Sequence, residues 1–185
     1  MIKVKTQKIS RLAQGDVLRN VEYIEYATEE SGIIEVSKIV FPLVIVLTQD
    51  CDLAQDDNFR SSEDEKKTQD KWLMSVLVAP LYNYEHVCDG THLTELSMNM
   101  VSITSQGKTA GNNLRNNETP RYHYLVFPEA VPAPPSVIDF KHYFAVNVSH
   151  LKELKANNFV CQVSDLYRED ISHRFASFLA RIGLP

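Results

Sequence analysis

For much of its first half the chain alternates β-branched or aromatic residues with charged ones. From Val21 to Leu47 it reads "VEYIEYATEESGIIEVSKIVFPLVIVL", strand-like text broken by a Ser31-Gly32 turn. The pattern predicts strands near 17–26, 33–40 and 43–49, the first entered through the turn "QGDV" at Gln14 to Val17. Pro42 has no amide to donate, so it is expected at a strand start or bulge separating the last two. The run 43–49 is apolar on both alternations until Thr48, as in a strand covered on both faces. It is the expected centre of the sheet.

The pattern then breaks. Between Ala54 and Lys71 the text "AQDDNFRSSEDEKKTQDK" has Phe59 as its one large apolar residue, too little burial to offset ordering, and predicts a charged mobile insertion at 54–71. "WLMSVLVAPL" resumes the strand pattern and is closed by Pro80. In "DGTHLTELSMNMVSITS" the apolar Leu93, Leu96, Met100 and Ile103 recur at helical spacing behind a Thr91 cap, which predicts a helix in the middle connection. "QGKTAGNNLRNNETP" reads as a loop, and its Gly-Lys-Thr lacks the earlier glycine a phosphate-binding loop requires. Two further strands are expected at "RYHYLVF" and "FKHYFAVNV", joined by the stiff "PEAVPAPPS". A C-terminal amphipathic helix is predicted from Ser164 as its cap to Gly183, with Pro185 beyond. Its apolar stripe is Leu166, Ile171, Phe175, Phe178, Leu179 and Ile182. No internal repeat is visible. The expectation is one α+β domain over 1–185: a curved antiparallel sheet or small β-barrel with a helix in its middle connection and the C-terminal helix packed on it.

Composition narrows the function classes. A formal charge of −5 and an isoelectric point near 5.7 argue against a surface devoted to polyanions. No stretch is long and apolar enough to span a bilayer, and "MIKVKTQKIS" lacks the apolar centre of a signal peptide, so a cytoplasmic location is expected. Cys51, Cys88 and Cys161 are odd in number and lack CxxC spacing, which predicts free thiols.

The order "QGDV", "FPLVIVLTQDCDL", "VLVAPL", "RYHYLV", "VIDFKHYFAV" and "HRFASFLARIG" resembles a group of uncharacterised bacterial proteins with a "GD…VLTQDCDL" signature. That group is similar in pattern to the PemK/MazF small β-barrels, the toxin ribonucleases of toxin–antitoxin pairs. The signature resemblance spans most of the chain outside the insertion; the PemK/MazF one covers the "GDV" start and the "FPLVIVL" strand. It implies a PemK/MazF-like barrel in a toxin–antitoxin or defence setting. Those toxins carry Arg before the proline of the central strand and a hydroxyl residue at the end of the next strand. Here Phe41 precedes Pro42, and the next strand ends in Ala79-Pro80. Loss of such a cation removes about 3 to 4 kcal/mol of transition-state stabilisation by analogy with oxyanion donors. A non-catalytic binding module for nucleic acid or a partner protein is therefore the leading expectation.

Candidate chemistry centres on "TQDCDL". Asp50 and Asp52, sharing a face if the strand continues, are candidate ligands for Mg or Mn, with Asp139 or His123 as a third ligand. Cys51 with His123 is the alternative nucleophilic pair. This second reading is a metal-dependent phosphodiesterase or nuclease centred on Asp50 and Asp52. The plainer reading has both acids bonding backbone amides at the strand exit while Cys51 fills a small apolar space. For nucleic acid the candidates are Lys108, Arg115, Arg121 and Tyr122, a locally cationic loop beside stacking aromatics.

Overall fold

The computed structural model describes residues 1–62 and 68–181. The protein is α+β, with a curled antiparallel half-barrel sheet and five α-helices among these residues. In chain order the elements are β1 (Val4–Lys5), β2 (Asp16–Glu30), β3 (Ile33–Val46), α1 (Asp50–Ser61), β4 (Ser75–Asn83), α2 (Tyr84–Asp89), α3 (Lys108–Arg115), β5 (Tyr122–Leu125), β6 (Ser136–Asp139), β7 (Phe144–Asn147), α4 (Val148–Asn158), β8 (Phe159–Val163) and α5 (Asp165–Leu179). The strands lie in the order β1-β8-β2-β3-β4-β6-β5, and β7 also pairs with β4. No helix among the described residues is long and apolar enough to cross a membrane.

The apolar run of β3 is buried on both sides, as its unbroken hydrophobicity requires. Leu43, Ile45 and Leu47 face one core with Val17, Phe140 and the α5 residues Ile171, Phe175 and Phe178. Val44 and Val46 face the other, with Val76, Val78, Leu53 of α1 and Leu151 of α4. Strand alternation thus sends Val76 and Val78 to the opposite side from Leu43 and Ile45. Of the C-terminal stripe, Leu166 and Leu179 are exposed, and Ile182, Gly183 and Pro185 lie outside the described residues.

Several segments depart from the sequence reading. Pro42 does not separate two strands: β3 runs through it, and the flanking pairs Val21 with Phe41 and Arg19 with Leu43 place it opposite Asn20, whose φ is +54°. Pro80 does not end β4 either. There the strand passes from β3 and β7 to β6, so the proline sits where the sheet splays. Of the segment expected as a charged insertion at 54–71, residues 54–61 belong to helix α1, and 63–67 lie outside the described residues. The carboxylate of buried Asp56 accepts from Arg60 at 2.7 Å and from the Leu73 amide at 2.8 Å, and the Arg60 guanidinium lies 3.7 Å from the centre of the Trp72 ring. Asp57 binds Lys152 of α4 at 2.6 Å. Those contacts order a charged segment that hydrophobicity alone would leave loose.

The helix expected across 91–103 is instead a folded-back loop. The Met100 amide donates to the Gly90 carbonyl and the Ile103 amide to that of Cys88, doubling the chain against α2. Gly90 has φ of +76°, and an added Cβ would lie 2.3 Å from the Met100 oxygen, so only glycine fits. The "GKTAGNN" stretch, expected as loop, forms much of α3.

Candidate functional site

The two most distinctive stretches of the sequence meet in space. Gly15 turns at φ of +80° and its amide donates to the Val46 carbonyl, while the Gln14 side chain donates to the Leu47 carbonyl at 3.1 Å. The Asp16 carboxylate accepts from the Ala13 amide at 2.8 Å and from the buried Lys155 ammonium at 2.6 Å. Asp50, opening α1 just beyond β3, takes both terminal nitrogens of Arg11 at 3.0 and 2.9 Å and the Gln14 amide at 3.2 Å. Arg168 of α5 stands 3.4 Å from the same carboxylate. Burial disfavours the charged form of Asp50, but the Arg11 hydrogen bonds and the charges of Arg11 and Arg168 outweigh it and hold the carboxyl below the usual range.

This corner binds itself together. Because the chain turns helical at Asp50, Asp50 and Asp52 do not share a face; on a helix they point roughly 200° apart. Asp52 is exposed. Cys51 fills no apolar space: it is exposed, with its Sγ 3.6 Å from Gln49 Oε1 and from Asp52 Oδ1. The imidazole sharing its cavity of about 420 Å³ belongs to His173. His123 sits buried on β5 beside Phe140, where burial pushes its pKa down to about 4. Asp139 is buried on β6 in an ion pair with Arg121. No group of three or more His, Cys, Asp or Glu side chains suited to a metal ion occurs among the described residues.

The nucleic-acid candidates are scattered. Lys108 is exposed at the start of α3. Arg115 donates to the Tyr84 hydroxyl at 2.8 Å and lines a cavity with Tyr84 and Tyr124. Arg121 and Tyr122 line a different cavity, where two of the guanidinium nitrogens are held by Asp139.

A site the sequence did not announce lies at the foot of the β2–β3 hairpin. An open cavity of about 340 Å³ is walled by Tyr23, Phe41, Tyr82, Tyr143 and Phe144, with Glu25, Lys141 and His142 among its polar groups. At its floor the Tyr82 hydroxyl is 3.0 Å from His142 Nδ1, and Asp139 Oδ2 is 3.6 Å from the same nitrogen. Burial lowers the His142 pKa against the pull of Asp139, and burial with the Asp139 charge raises that of Tyr82. Burial thus favours the neutral form of both rings, and the phenol oxygen and Nδ1 share one hydrogen bond. His92 packs against the Tyr82 ring at 4.9 Å, and neither of its ring nitrogens has a well-aligned hydrogen-bond partner among the described residues. Tyr82 and His142 are 60 positions apart, which hid the pairing from any local motif.

Above this cavity the hairpin projects as an arm. β2 pairs with β8 only over Asp16–Leu18, and β3 with β4 only over Val44–Val46, so residues 22–40 extend past the body of the sheet. Ile24, Tyr26, Ile33, Ile34, Val36 and Val40 are each 48–69% exposed there. Five glutamates, Glu22, Glu25, Glu29, Glu30 and Glu35, face the single Lys38, leaving the arm at a net −4. The exposed apolar residues lie on both faces of the arm: Ile34, Val36 and Val40 on one face of β3, Ile33 on the other.

No family model, curated protein or solved structure matches the chain.

Proposed function

We propose that this chain is a non-catalytic binding module on a PemK/MazF-like half-barrel and that it recognises a partner protein. The acidic, apolar arm rising directly over an aromatic cavity carries this reading. Aromatic pockets rimmed by polar groups are places where partner side chains anchor. Aromatic walls with a carboxylate such as Glu25 favour an apolar or cationic anchor. A nucleic acid is disfavoured at the same place, because the arm's glutamates would repel phosphates. The toxin–antitoxin or defence setting rests on the resemblance carried by "QGDV" and "FPLVIVLTQDCDL", and a cytoplasmic location goes with it. The alternative, a phosphodiesterase or nuclease at Asp50 and Asp52, has less support because Arg11 and Arg168 already occupy Asp50.

Fluorescence anisotropy separates the readings. Labelled single-stranded RNA and DNA, titrated at about 50 mM salt where phosphate contacts are strongest, should show no saturable binding and no cleavage with Mg or Mn added. Saturable oligonucleotide binding that is lost in Lys141→Ala, or metal-dependent cleavage lost in Asp50→Asn, would overturn the proposal.

A further inference from the structure

Where β3 leaves β4, its outer edge is bare. From Ile33 to Leu43 no strand among the described residues pairs with it on the side away from β2. A groove of about 630 Å³ runs beside part of that edge, between Ile39–Leu43 on one bank and His92–Leu96 on the other, with Pro80 and Tyr82 also lining it. A stretch of extended backbone with unpaired amides and carbonyls beside an apolar groove is the geometry that accepts an added strand. Its surroundings are acidic: Glu95 lines the groove, and the arm above it carries the net −4.

We propose that the groove along β3 takes an extended segment of a partner protein as an added β-strand. Its residues alternate between apolar side chains, which enter the groove, and Lys or Arg, which meet the glutamates. This rests on the protein-recognition reading and specifies the partner's conformation and charge. Charge complementarity chooses the occupant: a second copy would lay one net −4 arm against another, whereas a cationic strand neutralises it. The apolar faces of Phe41, Leu93 and Leu96 supply the burial that backbone pairing alone lacks.

The test is selection of a displayed library of random 12-residue peptides on the intact protein, followed by synthesis of the enriched sequences. The expected peptides alternate apolar and cationic residues. They slow hydrogen exchange at backbone amides within 38–43, and they weaken by about tenfold or more, equivalent to about 1.4 kcal/mol, in Glu29→Lys/Glu35→Lys. N-methylation of one alternate set of peptide amides should abolish binding while the other set is tolerated, because an added strand pairs with only one set. Cationic peptides that bind the arm but are indifferent to N-methylation would overturn the strand and leave protein recognition standing. Enrichment of acidic sequences, or of none, would defeat both. Sedimentation velocity on the protein alone should show a monomer; a dimer dispersed by Val40→Lys would make a second copy the occupant and overturn the cationic partner.

Discussion

Asp50, the first acid of a catalytic-looking tripeptide, is held on several sides by its neighbours. Its carboxylate, at the first residue of α1, receives Arg11, the Gln14 amide and the charge of Arg168, so it ties α1 to the 11–14 segment and to α5. Asp50→Asn is expected to cost about 1 to 3 kcal/mol, read from urea denaturation, whereas exposed Asp52→Asn should stay within about 0.5 kcal/mol. Cys51, exposed beside it, should alkylate with iodoacetamide in the native protein far faster than buried Cys88 or Cys161. His123 sets a pH dependence. Its folded pKa, lowered by burial to about 4 from the ordinary 6.5, means the unfolded chain binds the extra proton between those values. Stability should therefore fall as pH drops from 6.5 towards 4, by about 3 kcal/mol from this group. His92 and His142, also lowered by burial, add to the same direction. Thermal melts across that range should be flatter for His123→Gln; an unchanged slope would remove His123 as a source.

At the scale of elements, polar ties do what hydrophobic periodicity does not announce. Lys155 of α4, 1% exposed, reaches Asp16 at the start of β2 and the Arg11 carbonyl. Lys155→Ala leaves the buried Asp16 carboxyl without the ammonium that counters its burial-raised pKa and should cost about 3 to 5 kcal/mol; a loss below about 1 kcal/mol in urea denaturation would show that water replaces it. On α5, Phe175 packs against Phe140 and Tyr143. Phe175→Ala should cost about 3 to 5 kcal/mol, while exposed Leu179→Ala should be nearly neutral. The doubly buried 43–47 run was legible because an unbroken apolar run is the signature of two-sided burial, and the strands of the hairpin were legible from their β-branched and aromatic content and the Ser31-Gly32 turn, although most of their residues from 22 to 40 are exposed. α3 was not, because "KTAGNNLR" has the composition of a turn and depends on tertiary packing of Leu114. The helix anticipated at 91–103 failed for the converse reason: its spacing was helical, but the backbone hydrogen bonds go to Gly90 and Cys88 across the loop.

For the molecule as a whole, the half-barrel separates two regions. One is the corner where "QGDV" and "TQDCDL" clasp each other, distinctive in sequence and held by Arg11, Lys155 and Arg168. The other is the arm with its aromatic cavity, whose parts come from Tyr23, Phe41, Tyr82 and the 141–144 segment and meet only on folding. The candidate site was therefore legible only as its separate aromatic residues. Local spacing drew attention to the acids and the thiol, while Tyr82 and His142 find each other through the sheet.

The most direct measurement is an amide chemical-shift map of the protein on adding a library-selected peptide. Shifts confined to 22–43 and 92–96, with the corner at 49–52 and 168–173 unmoved, are the predicted result. Shifts centred on Asp50, Cys51 and His173 would contradict the account and return function to the clasp.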